Sequence, residues 1–387
     1  MFENRKKKIS IIGAGNAGCI SALYYYYYEG KKNCDLILYH DPTIPMERVG
    51  QGSTVPTSAL IANAFGLNWN NNSIGATFKT GIMYEGWGKN KGNHFHEIDM
   101  NGMAMHFVPQ KLSQLLLESG IVKVVEKNIK DPEKELDSDF IIDCRGRNNK
   151  NEEDYETLIN PLNAVLLCNK PGSDLDLKYT RTVATPNGWT FVIPMCPESP
   201  SHNGAVGYLY NTNITSREDA EKNFLEMFDV EITNHINFKN YVAKNPVVDD
   251  RIFLNGNRLF FLEPLESTAI GAYLDVVRWS FDVLFVRNRT FNDASKGIKQ
   301  YIEQIQNFIL WHYQFGSKYD TPFWKYAKTL TFKDPDFNWM LKESRKFDQD
   351  DVMPPDYGGD PKSEHVNYAQ WFFYSFKNWD YHMTQNI

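Results

Sequence analysis

A glycine-rich turn between a predicted strand and a predicted helix constrains the fold of this chain more than any other feature. Residues 8–12 favour a β-strand, a helical stretch follows to about residue 29, and residues 35–39 favour a second strand. The turn before the helix consists of Gly13, Ala14, Gly15, Asn16, Ala17 and Gly18. In such a βαβ unit the first glycine permits a tight turn, the second admits a pyrophosphate, and the third lets helix and strand pack closely. The sequence therefore predicts a Rossmann-type dinucleotide-binding module.

Two further segments bear on which dinucleotide is bound. Asp41 comes just after the second predicted strand and 23 positions after Gly18, close to the spacing of roughly 20 residues at which an acidic side chain holds the ribose, although the adjacent His40 leaves the position open. Residues 139–146 form an apolar run that ends in Asp-Cys-Arg-Gly, and its last residue is Gly146. A strand of this pattern late in the module is more typical of flavoprotein monooxygenases than of dehydrogenases. A plain core strand followed by a glycine turn would have the same sequence pattern.

Charge and composition exclude several classes of protein. The 387 residues include 41 basic and 48 acidic side chains, for a net charge of −7, and the acidic residues are scattered, so no nucleic-acid groove is expected. No apolar window approaches about 18 residues, and glycines interrupt the apolar stretch after residues 5–8, so neither a membrane span nor a secretion signal is predicted. The five cysteines lack metal-ligand spacing, which predicts no metal and a cytoplasmic location.

The order of predicted elements gives the domain organisation. The segments that favour strands with intervening turns are residues 164–168, 178–184, 189–193 and 204–210. Ser216 and Asp219 predict a capped helix to about residue 228, and isoleucines at helical spacing between residues 298 and 309 predict a later one. We predict an α/β fold whose Rossmann-type FAD-binding module spans residues 1–278, with an antiparallel β-sheet inserted over about 162–245. A helical, substrate-side region is predicted over residues 279–387, with a polar loop at 342–364 and an aromatic-rich terminal helix at 368–381.

Several motifs occur together in an order that identifies a family. They are the glycine turn at 13–18, Val-Gly-Gln-Gly-Ser-Thr-Val-Pro at 49–56, Lys79 in Thr-Phe-Lys-Thr, Gly-Trp-Thr-Phe-Val-Ile-Pro at 188–194, Glu-Pro-Leu-Glu-Ser-Thr-Ala-Ile at 263–270 and Asp-Thr-Pro-Phe-Trp at 320–324. The chain resembles the flavin-dependent halogenases of the tryptophan-halogenase type over roughly residues 8–324. The glycine turn alone is common, whereas the motifs at 263–270 and 320–324 are specific.

The resemblance implies an activity and its partners. Members bind reduced FAD, supplied by a separate flavin reductase, and use O₂ to convert a bound halide into hypohalous acid. The acid passes through a tunnel to an electron-rich aromatic substrate. Bromide or iodide is expected to react more readily than chloride, because each is easier to oxidise.

The same resemblance implies two catalytic side chains. Lys79 lies among small and apolar residues, so its pKa is expected to fall, and it would react as a haloamine or hydrogen-bond hypohalous acid. Glu266 would accept the ring proton or polarise the oxidant, with Glu263 as the rival. A lone lysine is more often a surface residue, and only the resemblance favours a role for Lys79.

Other positions match binding and lining roles. The glycine turn, Asp41, Gly146 and the strap residues Gln51, Ser53 and Thr54 would bind the cofactor. Backbone N–H groups of Thr268 and Ala269 would bind the halide. Trp189, Phe191 and, more weakly, Phe95 would line the substrate side.

This chain departs from the family pattern at four places. Ala269 replaces a usual glycine and would be strained if the turn needs a positive φ. Phe191 stands where members have a second tryptophan, and Gln51 where many have Glu. Residues 255–261 are shorter than the family's flavin contact, which predicts loose FAD binding.

Two other functions remain open from the sequence. An aromatic monooxygenase would use the same flavin fold but act without halide, and a non-catalytic flavin-binding protein would be indifferent to loss of Lys79. The sequence contains one dinucleotide fingerprint and no second one for a nicotinamide, so direct oxidation of NADH is not expected. The substrate, its site of halogenation and the oligomeric state, a homo-oligomer included, are not specified.

Overall fold

A computed structural model describes most of the first 338 residues of the chain. The described residues are 6–45, 49–68, 72–88, 93–98, 104–149, 151–170, 178–194, 204–228, 230–332, 334, 335, 337 and 338. The polar loop predicted at 342–364 and the terminal helix predicted at 368–381 lie outside them.

The strands, numbered along the chain, are short and are distributed over four sheets. They are β1 (Lys7–Ile12), β2 (Cys34–His40), β3 (Gln51–Gly52), β4 (Thr77–Lys79), β5 (Gly81–Glu85), β6 (Asn93–Glu97), β7 (Ala104–Phe107), β8 (Lys123–Glu126), β9 (Phe140–Asp143), β10 (Tyr155–Thr157), β11 (Ala164–Lys170), β12 (Thr180–Thr185), β13 (Gly188–Ile193), β14 (Gly204–Tyr210), β15 (Ile232–Asn237), β16 (Tyr241–Ala243), β17 (Val247–Val248), β18 (Ile252–Leu254) and β19 (Phe260–Phe261).

The α-helices are concentrated at the beginning and the end of the described chain. They are α1 (Asn16–Tyr28), α2 (Gly30–Asn33), α3 (Val55–Phe65), α4 (Pro109–Glu118), α5 (Pro132–Glu135), α6 (Arg217–Phe228), α7 (Thr268–Phe281), α8 (Phe291–Gln314) and α9 (Pro322–Thr329). Short 3₁₀ helices occupy Glu152–Asp154, Gly256–Arg258 and Leu265–Ser267, and a π-helical turn, Asp282–Val286, follows α7.

The first sheet confirms the predicted Rossmann-type module. Within the described residues its strand order is β17-β18-β9-β1-β2-β8, and all neighbours are parallel except β17 and β18. The late strand β9 lies in the interior of this sheet, between β1 and β18. The glycine turn therefore enters α1 from an interior strand, as in other doubly wound sheets.

Two glycines fix the approach of α1 to this sheet. Gly13 has φ +101°, which a side chain rarely tolerates, and it donates its backbone N–H to the carbonyl of Tyr39 at 2.8 Å. A Cβ on Gly18 would lie 1.8 Å from the carbonyl oxygen of Gly13. The first turn of α1 consequently lies against the strand end with no room for a methyl group.

The inserted sheet forms, and it recruits strands from earlier in the chain. Its order among the described residues is β15-β11-β14-β13-β12-β5-β6, antiparallel throughout except for the parallel pair β12 and β5. The strands β5 and β6 precede the segment predicted to build it, since local patterning shows that a segment is a strand but not which strand it pairs with. The predicted domain boundaries are not tested by these pairings and stay predictions.

The later helices close the core. The helix α7 begins at Thr268, earlier than predicted, and packs on α1, where Tyr25 and Ser280 share a buried hydrogen bond of 2.7 Å. The predicted cap of α6 forms, with Asp219 N–H donating to Ser216 Oγ at 3.1 Å. In the described part of the chain, no helix is both long and apolar enough to cross a membrane.

The two glycines of the turn should respond oppositely to added methyl groups. Gly18→Ala should lower the stability of the fold, because the clash with a backbone oxygen outweighs the gain of about 1 kcal/mol in helix propensity. Gly15→Ala should change it little, since no heavy atom lies within 4 Å of the added Cβ. Urea unfolding of both variants without cofactor measures the difference, and equal midpoints would contradict this account of the turn.

Candidate active site

A cleft opens where the carboxyl ends of β1, β2 and β9 meet. Its volume is about 690 Å³, and its walls combine the glycine turn with later parts of the chain. Residues from these separate segments include Gly13, Gly15, Asp41, Arg145, Gly146 and Gly256. Ligands of open parallel sheets bind at this edge, outside the strand ends.

The glycine turn fits a bound dinucleotide. The Cβ position of Gly15 faces open space, and α1 begins directly after it at Asn16, so its first N–H groups have no partners within the helix. Such groups, together with the helix dipole, favour an anionic pyrophosphate. The cleft thus has both the space and the donors that FAD requires.

Charged groups at the end of β9 anchor the other wall of the cleft. The buried carboxylate of Asp143 binds Arg145 Nη2 at 2.6 Å and Arg258 Nε at 3.1 Å. Arg145 also donates to the carbonyl of Ile129 at 2.7 Å. This pairing fixes the Cys-Arg-Gly turn, which the sequence identified only through Gly146.

The structure places Asp41 on the cleft but engages its carboxylate locally. Its oxygens accept hydrogen bonds from Thr43 N–H at 2.9 Å and from Asn128 Nδ2 at 2.6 Å. These bonds, chiefly those from Thr43, hold the pKa of Asp41 below its usual value. A ribose hydroxyl at this position would therefore meet an ionised acceptor.

The segment at 255–261 contributes to the cleft. Asn255 caps it by accepting from Gly256 N–H at 2.7 Å, and Gly256 and Asn257 line the cavity. The predicted looseness of FAD binding is not tested by this arrangement and stays a prediction.

Lys79 lies in a second, buried centre that does not line this cleft. Its Nζ donates to the carbonyl oxygen of Ser53 at 3.2 Å and to Ser267 Oγ at 2.7 Å. Only 1% of the residue is exposed. Burial lowers the pKa of Lys79 to about 8, against the opposing effect of the Glu266 charge, so the amine and the ammonium are both accessible near neutral pH.

The strap, which consists of Gln51, Ser53 and Thr54, contacts Lys79 and does not line the cleft. A Cβ on Gly52 would lie 3.2 Å from Lys79 Nζ and 2.8 Å from Ser267 Oγ, so the strap backbone touches the lysine directly. Ser53 bonds Ser58, and Thr54 precedes α3 as its N-cap residue. Gln51 is half-buried in β3. None of Gln51, Ser53 and Thr54 is among the described residues that line the cleft.

Glu266 is the carboxylate of the Lys79 centre. Its Oε1 accepts from the Tyr84 hydroxyl at 2.6 Å and lies 3.1 Å from His312 Nε2. Burial alone would raise the pKa of Glu266, but hydrogen bonds from His312 and Tyr84 and the charges of His96 and His312 lower it to about 2. A buried carboxylate is thereby kept ionised beside a buried lysine.

The turn that contains Glu266 has an unusual backbone. Glu266 and Ser267 have φ of +59° and +60°, whereas Thr268 and Ala269 begin the regular helix α7. Strain of the kind considered for Ala269 therefore does not arise there, because the left-handed residues come earlier. The N–H groups of Thr268 and Ala269 lie in the first turn of α7, where backbone donors lack helical partners.

Glu263, the rival carboxyl, belongs to a different network. It is fully buried and accepts a 2.5 Å hydrogen bond from the Tyr313 hydroxyl, which in turn accepts from Trp189 Nε1 at 2.9 Å. Burial raises the pKa of Glu263 to about 7, although hydrogen bonds from Tyr313 and Trp189 act against the rise. The two carboxyls of one motif therefore have opposite protonation tendencies.

The predicted lining residues fall on two faces of the inserted sheet. Trp189 and Phe191 are buried, with ring centroids 6.3 Å apart. Phe95 is 36% exposed and packs on Tyr179, while its neighbours His94 and His96 turn inward. The structure therefore separates Phe95 from the Trp189 cluster, since adjacent strand residues face opposite ways.

Sequence reasoning did not single out three residues that contact the carboxyl groups of Glu263 and Glu266. Tyr84, His312 and Tyr313 contact the two motif carboxyls from β5 and α8. His312 continues the helical spacing of the isoleucines at 298, 302, 305 and 309. A polar residue on the apolar face of a predicted helix was the available signal. In the described part of the chain, no group of His, Cys, Asp or Glu is arranged to hold a metal ion.

A family model decides the assignment of the chain. The model for tryptophan halogenase matches residues 8–114 and 113–384. The chain belongs to the tryptophan halogenase family. This family consists of flavin-dependent halogenases, and a flavin cofactor agrees with the dinucleotide cleft.

The relatives that match this chain are distant from it in sequence. Tryptophan 7-halogenase RebH of Lentzea aerocolonigenes is 27% identical over 51% of this chain and 40% of its own length. Tryptophan 6-halogenase ThaL of Streptomyces albogriseolus is 24% identical over 60% and 49%. The matched regions thus span less than half of these relatives.

The fold is shared more widely than the sequence. A crystal structure of tryptophan halogenase from Shewanella frigidimarina superposes with a TM-score of 0.79 at 17% identity, covering 99% of this chain and 90% of that one. Identity this low shows the common flavin-halogenase architecture alone.

Gly15→Ala should weaken FAD binding while leaving the protein folded. The added methyl group would enter the space beside the N-terminus of α1, where a pyrophosphate would approach the backbone. We expect at least about a tenfold rise in the dissociation constant, which corresponds to about 1.4 kcal/mol. Quenching of FAD fluorescence measures the constant. Leu225→Ala, an exposed change in α6 at a residue that does not line the cleft, serves as the control, and unchanged affinity in Gly15→Ala would refute the placement of the cofactor.

Proposed function

We propose that this protein is an FADH₂-dependent halogenase that uses O₂ and halide to halogenate a small electron-rich aromatic substrate. The observation that carries the proposal is the buried Lys79, hydrogen-bonded to Ser267 beside the ionised Glu266. A buried ammonium and a buried carboxylate are costly to maintain, and such paired groups cluster at functional sites.

The residues of the cleft fit FAD. The turn from Gly13 to Gly18 would hold the pyrophosphate, Asp41 the ribose, and Gly146 the approach of the second wall. When bound and reduced, FAD supplies the electrons that activate O₂ for oxidation of the halide. The strap at Gln51, Ser53 and Thr54 would link the cofactor to Lys79, which it contacts through Ser53.

Lys79 has two chemically distinct ways to handle hypohalous acid. As a neutral amine it would use its two hydrogens for Ser53 and Ser267 and keep its lone pair for attack on the halogen. As an ammonium it would have a third N–H to donate to the acid. Because the pKa of Lys79 is about 8, coupled product that rises through pH 8 supports the amine and product that falls supports the ammonium.

Glu266 is placed to take the ring proton. Its carboxylate is ionised, and a halogenated ring cation is a strong acid, so even a weak base removes the proton. Glu263 tends to stay protonated and is less suited to this task.

The first turn of α7 would bind the halide through Thr268 and Ala269 N–H groups, since backbone donors at a helix N-terminus favour anions. Bromide and iodide are the expected halides because they are easier to oxidise than chloride. Trp189 and Phe191 would form the wall that keeps substrate from the cofactor, with phenols and indoles as candidate substrates. The role of Phe95 on the substrate side stays a proposal.

The test is mass spectrometry of a panel of phenols and indoles incubated with the protein, FAD, a flavin reductase, NADH and each halide in turn. Halogenated product that depends on halide supports the proposal. Hydroxylated product without halide would instead indicate an aromatic monooxygenase.

Loss of Lys79 or Glu266 should uncouple the reaction. Lys79→Ala and Glu266→Gln should still bind FAD and consume O₂ but form about 10²- to 10⁴-fold less halogenated product, because they act after the oxygen step. Lys79→Ala should be the more severe, since Gln keeps a polar group at position 266. Product and peroxide are measured in the same samples.

Matched variants separate these roles from general damage. The exposed Lys123→Ala controls for loss of a lysine, and Glu263→Gln mimics the protonated carboxyl and should cost much less than Glu266→Gln. Wild-type halogenation by Lys79→Ala would overturn the proposed relay and favour a flavin-binding protein without this chemistry.

The electrons should come from a partner enzyme. The purified protein with FAD should not oxidise NADH, and an added flavin reductase or photoreduced FAD should restore turnover. Absorbance at the NADH band follows the reaction. Rapid NADH consumption by the protein alone would argue against a separate reductase.

A further inference from the structure

Glu266 and His312 share one proton in a hydrogen bond, and the contacts of the two side chains indicate which of them carries it. His312 Nδ1 lies 2.7 Å from the carbonyl oxygen of Phe308, one turn earlier in α8. A carbonyl oxygen accepts only, so Nδ1 must bear a hydrogen. The other ring nitrogen, Nε2, lies 3.1 Å from Glu266 Oε1.

This geometry allows two protonation states. In one, Nε2 also bears a hydrogen, and His312 is an imidazolium paired with a Glu266 carboxylate. In the other, neutral His312 accepts a proton carried by Oε1. Both fit the distance, so the remaining contacts must decide between them.

The remaining contacts favour the ionised pair. Tyr84 donates to the same oxygen, Oε1, at 2.6 Å, and a second donor stabilises a carboxylate more than a protonated acid. Both side chains of the pair are almost entirely buried, at 0% and 2% exposure, so each charge depends on the other and loss of either partner would leave an uncompensated buried charge. Among the described residues, no hydrogen bond reaches Glu266 Oε2.

We propose that His312 is an imidazolium that keeps Glu266 ionised through Oε1 and thereby leaves Oε2 to receive the proton from the substrate ring. This role rests on the proposed halogenase function, and His312 acts in it as a positioning residue. The overall change is ArH + HOX → ArX + H₂O. The ring carbon bonds the halogen as the X–O bond breaks, and the C–H electrons return to the ring as its proton passes to Oε2. The hydroxide released from HOX takes up the proton that the ring gave to Oε2, which forms water and regenerates the carboxylate, so charge and atoms balance.

Other titratable groups face this pair from every adjoining element. They are Tyr84 on β5, His94 and His96 on β6, Lys79 on β4, and Tyr313 on α8, which donates a hydrogen bond to Glu263. Because Lys79 titrates with a pKa of about 8, pH effects of a His312 variant are read as the ratio of variant to wild type at each pH. The ratio cancels the titration that both proteins share.

The decisive experiment measures the protonation state of His312 without any enzymatic turnover. Full-length protein with oxidised FAD, labelled with ¹⁵N in the rings of its nine histidines, is studied at pH 7.5. An imidazolium gives two similar ring nitrogen shifts, whereas a neutral ring gives two widely separated ones. The His312 signals are assigned by their loss in His312→Gln.

We expect an imidazolium at His312 in the wild type and a neutral ring in Glu266→Gln, which removes the negative partner. His235→Gln is the control, because His235 also meets a tyrosine hydroxyl, that of Tyr210 at 3.0 Å, and burial lowers its pKa. That variant should remove the signals of a neutral ring and leave those of His312. A neutral His312 in the wild type, or one indifferent to Glu266→Gln, overturns the proposal.

A second measurement tests the consequence for catalysis, with indole as the probe and bromide as the halide. The variant His312→Gln should lose product at pH 6 relative to wild type and recover by pH 8.5, because Glu266 without its cation ionises at higher pH. Each unit by which the pKa moves should change the product ratio about tenfold on the acid side. A pH-independent loss indicates a merely structural role and overturns the positioning claim, whereas wild-type failure on indole bears on the proposed function alone.

Discussion

The compensation of a buried lysine charge is the constraint on which the Lys79 centre depends. Moving an ammonium out of water is costly unless donors are satisfied and a counter-charge is near. The strap supplies a carbonyl from Ser53, the motif supplies Ser267 Oγ, and Glu266 supplies the charge. Each contribution comes from a different part of the chain, so the strap, β4 and the turn before α7 must all be in place together. The left-handed backbone occurs at two adjacent residues that both act on Lys79, since Ser267 Oγ accepts its hydrogen bond and the Glu266 charge raises its pKa.

Two residues at the end of α8 contact the carboxyl groups of Glu266 and Glu263, whose protonation differs. Two consecutive residues, His312 and Tyr313, contact Glu266 and Glu263 respectively. Hydrogen bonds from His312 and Tyr84 and the charges of His96 and His312 keep Glu266 ionised against the effect of burial, whereas burial raises the pKa of Glu263 to about 7 despite the hydrogen bonds from Tyr313 and Trp189. Two carboxyls three positions apart in sequence therefore acquire different chemistry from their environments, as acids and bases in one site commonly do.

The architecture separates cofactor binding from the Lys79 centre and joins them through packing. The cleft lies at the carboxyl ends of the first sheet, whereas Tyr84 and Trp189 reach the motif carboxyls from strands of the inserted sheet. The parallel pairing of β5 with β12 is what places Tyr84 in the same sheet as Trp189. This division agrees with a chemistry in which the oxidant forms at one place and reacts at another.

The sequence by itself determined the local elements and the family motifs. Glycine spacing specified the turn before α1, because only glycine satisfies its φ and its close approach to the strand. Alternation specified the strands β11 to β14, and the motif residues pointed to Lys79 and Glu266. Tertiary structure alone decided which buried groups meet. Glu266 contacts Tyr84 and His312, which lie 182 and 46 residues away in the sequence. The structure also shows that the left-handed residues are Glu266 and Ser267 and not Ala269. Local patterns indicate that a side chain is buried, but its partner and hence its protonation state depend on how distant elements pack.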